Sequence, residues 1–114
     1  QGYLDAAGVV IAVIGADGTI DFVNRRGYEV LGYADGDLAG KNWFATVVPE
    51  RLRDRLSRNF GRLVAGGLEP PAFEESPIVT RDGRERSILW HNALLRDADG
   101  NVMAMVSSGE ELAE

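Results

Sequence analysis

Residues 86–106, RSILWHNALLRDADGNVMAMV, hold two apolar runs, Arg86–Leu95 and Val102–Val106, on either side of Asp99-Gly100. Successive side chains of a strand point to opposite faces, so Ile88, Trp90, Asn92 and Leu94 share one face. Ser87, Leu89, His91 and Ala93 take the other. Asp-Gly tolerates the positive φ of a tight turn, and the two runs read as an antiparallel hairpin. The same signature recurs upstream. Asp82-Gly83 parts Ile78–Thr80 from Arg86–Leu95, and Asp17-Gly18 parts Val9–Ile14 from Thr19–Val23. Three hairpins imply five strands, two early and three late.

The stretch between them has a different period. Asn24 closes a strand and can cap a helix through its side-chain carbonyl; Tyr28 and Leu31 then fall on one helical face. Asp35-Gly36 is a loop. Pro49 opens a long helix, Pro49–Ala65, where a missing N–H costs nothing. In it Leu52, Leu56, Phe60 and Leu63 form an apolar stripe turned to the sheet, with Arg51, Arg53, Arg58 and Arg62 largely off it. Gly66-Gly67 and Pro70-Pro71 end it. The order β-β-α-α-α-β-β-β predicts an α+β fold: a five-stranded antiparallel sheet with helices packed on one face.

Composition narrows the chemistry. The chain has 114 residues, 12 Lys+Arg against 18 Asp+Glu, one His and no Cys. A length near 100–150 residues corresponds to one domain with one core. Without Cys there are no disulfides, Cys-ligated zinc, thiol nucleophiles or iron–sulfur clusters. The net charge of −6 argues against nucleic acid as a partner. No apolar run approaches the roughly 20 residues of a membrane span and no leader is visible, so a cytoplasmic location without membrane insertion is expected.

The chain resembles a PAS domain over essentially its whole length. The resemblance rests on Ala16-Asp17-Gly18-Thr19-Ile20-Asp21-Phe22-Val23-Asn24, Leu31-Gly32-Tyr33, Leu38-Ala39-Gly40-Lys41-Asn42-Trp43-Phe44 and the two late hairpins, in that order and spacing. At the end, Glu110-Glu111-Leu112-Ala113 stands where PAS domains carry Asp-Ile-Thr before an output helix; Glu111 keeps an acid and Ala113 lacks the hydroxyl. The resemblance implies a sensory and dimerising module of a bacterial signalling protein. It would be one domain of a longer chain, attached to a histidine kinase or a cyclic-di-GMP enzyme, with a small molecule held between sheet and helices. A ligand-free module that only dimerises and relays is the second reading. Tyr3, Leu4, Ala6, Ala7 and the outer sheet face with Leu89 are the expected homodimer surface.

Catalytic and cofactor sets are thin. His91 has no nucleophilic partner and falls on the outer face, so an independent enzyme is disfavoured and no catalytic residue is assigned. Haem-binding PAS domains take an axial His from the long helix, which has none here. LOV domains, the light-sensing relatives, carry Gly-Arg-Asn-Cys where Gly40-Lys41-Asn42-Trp43 stands here. Without the thiol no flavin adduct forms, which leaves non-covalent flavin as the remaining cofactor option. Asp97, Asp99 and Asn101 are too closely spaced for an EF-hand and lack its distal Glu, so no metal site is assigned. Glu74 and Glu75 point to opposite faces. The ligand-pocket candidates are therefore Trp43 and Phe44 on the short helical segment, and Phe60 and Leu63 on the long helix. Trp90 and Asn92 are expected from the sheet's centre and Ile78 from the run before Asp82-Gly83, with Met103, Met105 and Ser107 on one face of the last strand. Asn24 and Tyr28 complete the set, Asn24 also serving as a cap. Core packing alone is the alternative for all of them. Trp and Asn among aliphatics favour a cavity, since a buried indole N–H or amide needs a partner.

Overall fold

The three Asp-Gly turns share one hydrogen-bond scheme, and it fixes the ends of the strands. The computed structural model describes residues 8–67 and 69–112. In the first turn the Gly18 N–H donates to Gly15 O and the Gly15 N–H to Thr19 O, both at 2.8 Å. Thr80–Arg84 and Asp97–Asn101 repeat this pattern. Gly18, Gly83 and Gly100 lie at φ +86°, +88° and +87°, while no other residue type has positive φ among the described residues. These are three-residue loops with glycine in the left-handed position, a bulged hairpin rather than the two-residue turn that Asp-Gly suggests. Asp97 Oδ1 accepts from the N–H groups of Asp99 and Asn101, both at 2.9 Å. The bond from Asn101 is the main reason its carboxyl sits below the usual carboxylate value. The Asp97–Asn101 cluster is thus a turn that spends its acid on its own backbone.

The elements follow the predicted order: β1 (Val9–Gly15), β2 (Ile20–Val23), α1 (Arg25–Leu31), α2 (Trp43–Thr46), α3 (Glu50–Val64), β3 (Glu74–Val79), β4 (Glu85–Arg96) and β5 (Val102–Glu111). All pairings are antiparallel, in the sheet order β2-β1-β5-β4-β3. The middle of the sheet is β5, not β4, so Trp90 and Asn92 stand one strand off centre. Two strands are longer than the sequence suggests. β3 starts at Glu74 and runs through Pro77, which is tolerated because β3 is an edge strand. β5 continues past Val106 to Glu111 because β1 and β4 both supply a ladder.

The pairings sort the side chains. Val10, Ala12 and Ile14 of β1 face Gly109, Ser107 and Met105 of β5; Trp90 and Asn92 of β4 face the same Gly109 and Ser107; Glu74 and Ser76 of β3 face Trp90 and Ile88. These residues form the inner face, on which the helices pack. Gly27 of α1 sits tightly on it, since a Cβ there would press into Val23 and lie 3.3 Å from Val10. On α3, Phe60 is buried, and Leu52, Leu56 and Leu63 are partly so. Pro49 precedes the first helical residue without a side-chain capping bond, and Glu50 in the first turn and Arg62 in the last carry signs favourable to the helix dipole. The outer face is left with Phe22, Leu95 and Phe73 exposed. His91 lies there too, its ring 5.4 Å from that of Phe73. Tyr3, Leu4, Ala6 and Ala7, invoked for a dimer surface, lie outside the described residues, as does Ala113.

Two pocket candidates belong to the frame instead. Asn24 is buried and bonded to β1: its Oδ1 accepts from the N–H groups of Ile11 and Gly27, and its Nδ2 donates to Val9 O, each at 2.9 Å. Tyr28 is also buried, and its hydroxyl accepts from the Leu38 N–H at 3.2 Å, tying α1 to the following loop. Met103 is a third correction. Between Leu95 and Arg96 the register slips, with Leu95 opposite Ala104 and Arg96 opposite Val102. Met103 is skipped and stands 57% exposed.

Candidate functional site

Trp43 is aimed inward by the backbone around it. Its N–H donates to Gly18 O at 2.9 Å, and Asn42 caps α2 by accepting from the Ala45 N–H at 2.9 Å. The preceding loop is laced to β2 through Ile20 N–H to Lys41 O and Gly40 N–H to Ile20 O. Arg53 of α3 then donates to Phe44 O at 2.7 Å and Val48 O at 3.2 Å, joining α3 to α2 and to the residues that follow it. Together these contacts fix α2 and α3 as one lid over the inner face of the sheet.

Under that lid the two indoles meet. Trp43 and Trp90 lie edge to face, with centroids 5.9 Å apart and planes at 77°, and Phe44 packs on Phe60 at 5.2 Å. Trp90 lies across Gly109, where a Cβ would come within 2.7 Å of its ring. Only glycine lets the indole lie this close to the strand.

Beside the indoles is a cavity of about 90 Å³. Of the predicted residues, Trp43, Phe44, Phe60, Leu63, Ile78, Trp90, Asn92, Met105 and Ser107 line it. Asn24, Tyr28 and Met103 do not, for the reasons given above. The sequence reading missed Ile14, Val48 and Leu56, the rim residues Asn59, Pro70, Pro71 and Pro77, and two polar groups of β3, Ser76 and Glu74. Period-two counting back from Ile78 reaches both Ser76 and Glu74, but only if the strand is allowed to pass through Pro77. The walls are aromatic and aliphatic; the polar groups are Asn92 and Ser107, which oppose each other across β4 and β5, with Ser76, Glu74 and Asn59. A largely apolar cavity with a few convergent polar groups is the usual form of a small-molecule site. No cluster of three or more His, Cys, Asp or Glu suited to a metal occurs among the described residues.

A strand that lines the cavity is also the last of the sheet in chain order. β5 contributes Met105 and Ser107, then ends at Glu111. There Arg86 grips the Glu111 carboxylate with two nitrogens, one at 2.6 Å, and donates to Val30 O of α1 at 3.1 Å. Helix α1, β4 and the exit of β5 are thereby joined at one point.

A family model described as the PAS fold matches residues 4–114. A search of curated proteins returns no match. Among solved structures, the PAS domain of the RpfR quorum-sensing receptor from Cronobacter turicensis, in complex with BDSF, is similar at 23% identity and a TM-score of 0.77. That match covers 94% of this chain and 96% of that one. A PAS domain from Colwellia psychrerythraea aligns at 14% identity and a TM-score of 0.79, covering 96% and 90%. The N-terminal domain of a diguanylate cyclase with PAS/PAC sensor from Marinobacter aquaeolei aligns at 15% identity and a TM-score of 0.73, covering 90% and 94%.

Proposed function

The chain belongs to the PAS fold family, and from that premise we propose that it is the sensory module of a bacterial signal-transduction protein. It binds a small molecule in the cavity between α2, α3 and the inner sheet face, and relays occupancy along β5 to a C-terminal output domain, a sensor histidine kinase. The observation that carries this reading is the cavity itself. Its two indoles and the Asn92–Ser107 pair bring aromatic wall and hydrogen-bonding groups together at one place. The relay rests on continuity: Met105 and Ser107 touch the cavity, and the same strand ends in the Arg86–Glu111 clasp. A cyclic-di-GMP enzyme is the second candidate output, favoured by the likeness to the sensor domain of a diguanylate cyclase. The domain itself is non-catalytic in this reading. It works in the cytoplasm as a homodimer, for which the exposed Phe22, Leu95 and Phe73 of the outer face supply apolar surface.

Native mass spectrometry of the domain purified from cells tests the binding claim. The expected result is a species heavier than the polypeptide by one small molecule, which returns to the polypeptide mass on denaturation. A native mass equal to that of the polypeptide, unchanged after incubation with cell extract, favours the ligand-free relay.

A further inference from the structure

We propose that the cavity selects a cationic ligand, a small amine or quaternary ammonium seated between the Glu74 carboxylate and the paired indoles. The inference rests on the cavity being a ligand site, and adds the charge of what it holds. Register supplies the first observation. Glu74 stands directly opposite Trp90 in the β3–β4 ladder, and cross-strand neighbours have Cβ atoms about 5 Å apart on one face. Trp90 in turn meets Trp43 at 5.9 Å. A carboxylate and two π systems therefore border the same space.

The charge inventory supplies the second. Glu74 is the one ionisable residue among the described residues lining the cavity; no Lys, Arg or His joins it. Glu74 makes no ion pair among the described residues. On the lid, the Arg53 guanidinium is turned to Phe44 O and Val48 O. An anionic ligand would meet repulsion with no compensating cation. A cation would gain the carboxylate and the negative faces of the indoles, which attract ammonium groups within about 6 Å of a ring centroid. Asn59 and Pro71, which border the cavity, are exposed, so the cavity opens to solvent.

Benzylamine, benzyl alcohol and benzoate share one ring and differ in charge at pH 7. Each is titrated into the chain while the two indole N–H resonances, one from Trp43 and one from Trp90, are followed by NMR. Benzylamine should bind tightest and benzoate roughly tenfold weaker or worse, as expected of a partly desolvated charge contact. In Glu74→Gln, which keeps the shape, most of that preference should vanish while benzyl alcohol binds as before. Benzoate binding as tightly as benzylamine, or a preference that survives Glu74→Gln, overturns the charge assignment and leaves the cavity reading standing. If none of the three moves either indole, the cavity reading falls and this inference with it.

Discussion

Asn24→Ala is expected to lower the stability of the domain by about 3–5 kcal/mol, far more than the ~1 kcal/mol of a lost helix cap. The reason lies in what the side chain replaces. β2 ends at Val23, so the edge of β1 at Val9 and Ile11 runs on without a strand beside it. The Asn24 amide continues the ladder: Oδ1 takes the Ile11 N–H, Nδ2 gives to Val9 O, and the Asn24 backbone N–H gives to Ile11 O at 2.9 Å. The same Oδ1 caps α1 through the Gly27 N–H. Truncation removes the partners of two N–H groups and a carbonyl, each costing about 1–3 kcal/mol where water cannot replace it. Asn24→Asp keeps the acceptor but sets a charged oxygen against Val9 O, and should fall between the two, at about 1–3 kcal/mol. Urea unfolding of the three proteins checks the series. A loss for Asn24→Ala no larger than that of a cap alone would contradict it.

Trp90→Ala should cost about 3–5 kcal/mol, and its loss should be coupled to that of Trp43→Ala. Both indoles are at least nine-tenths buried, and an edge-to-face pair contributes about 0.5–1.5 kcal/mol beyond the area it covers. A double-mutant cycle on thermal or urea unfolding should return a coupling of that size. The two truncations should differ in one respect. Trp90 lies flat on Gly109 within the sheet, so its removal opens the core beneath the lid. Trp43 sits on α2, whose short helix can settle toward the sheet and refill part of the gap. Trp43→Ala is accordingly expected to be the milder, at about 2–4 kcal/mol. Equal, additive losses would mean that the indoles pack independently.

Much of the architecture was legible because the signals were local. Asp17-Gly18, Asp82-Gly83 and Asp99-Gly100 mark their hairpins within a few residues, and the alternation along Ile88–Leu94 puts Trp90 and Asn92 on the inner face. Leu52, Leu56 and Phe60 likewise announce the face that α3 turns to the sheet. What failed depended on distant partners. Nothing near Asn24 or Tyr28 reveals that their polar atoms are taken by Val9, Ile11 and Leu38. Met103 has the right parity for the inner face, but parity cannot anticipate a register slip opposite Leu95 and Arg96. Glu74 reads locally as a strand residue and Ser76 shares its face, but nothing near them in the chain shows that pairing with β4 sets both against the cavity. The β3–β4 pairing brings those two polar groups to the cavity.

The proposed binding mode seats a small molecule beside the two indoles, under the lid and against the inner face of the sheet. Intermolecular NOEs measured with benzyl alcohol, the uncharged probe, test it most directly. Contacts are expected from the probe's ring protons to the indole protons of both Trp43 and Trp90 and to the ring of Phe60. Contacts confined to Phe22, Phe73 or Leu95 on the outer face, or no contacts at saturating probe, would contradict it.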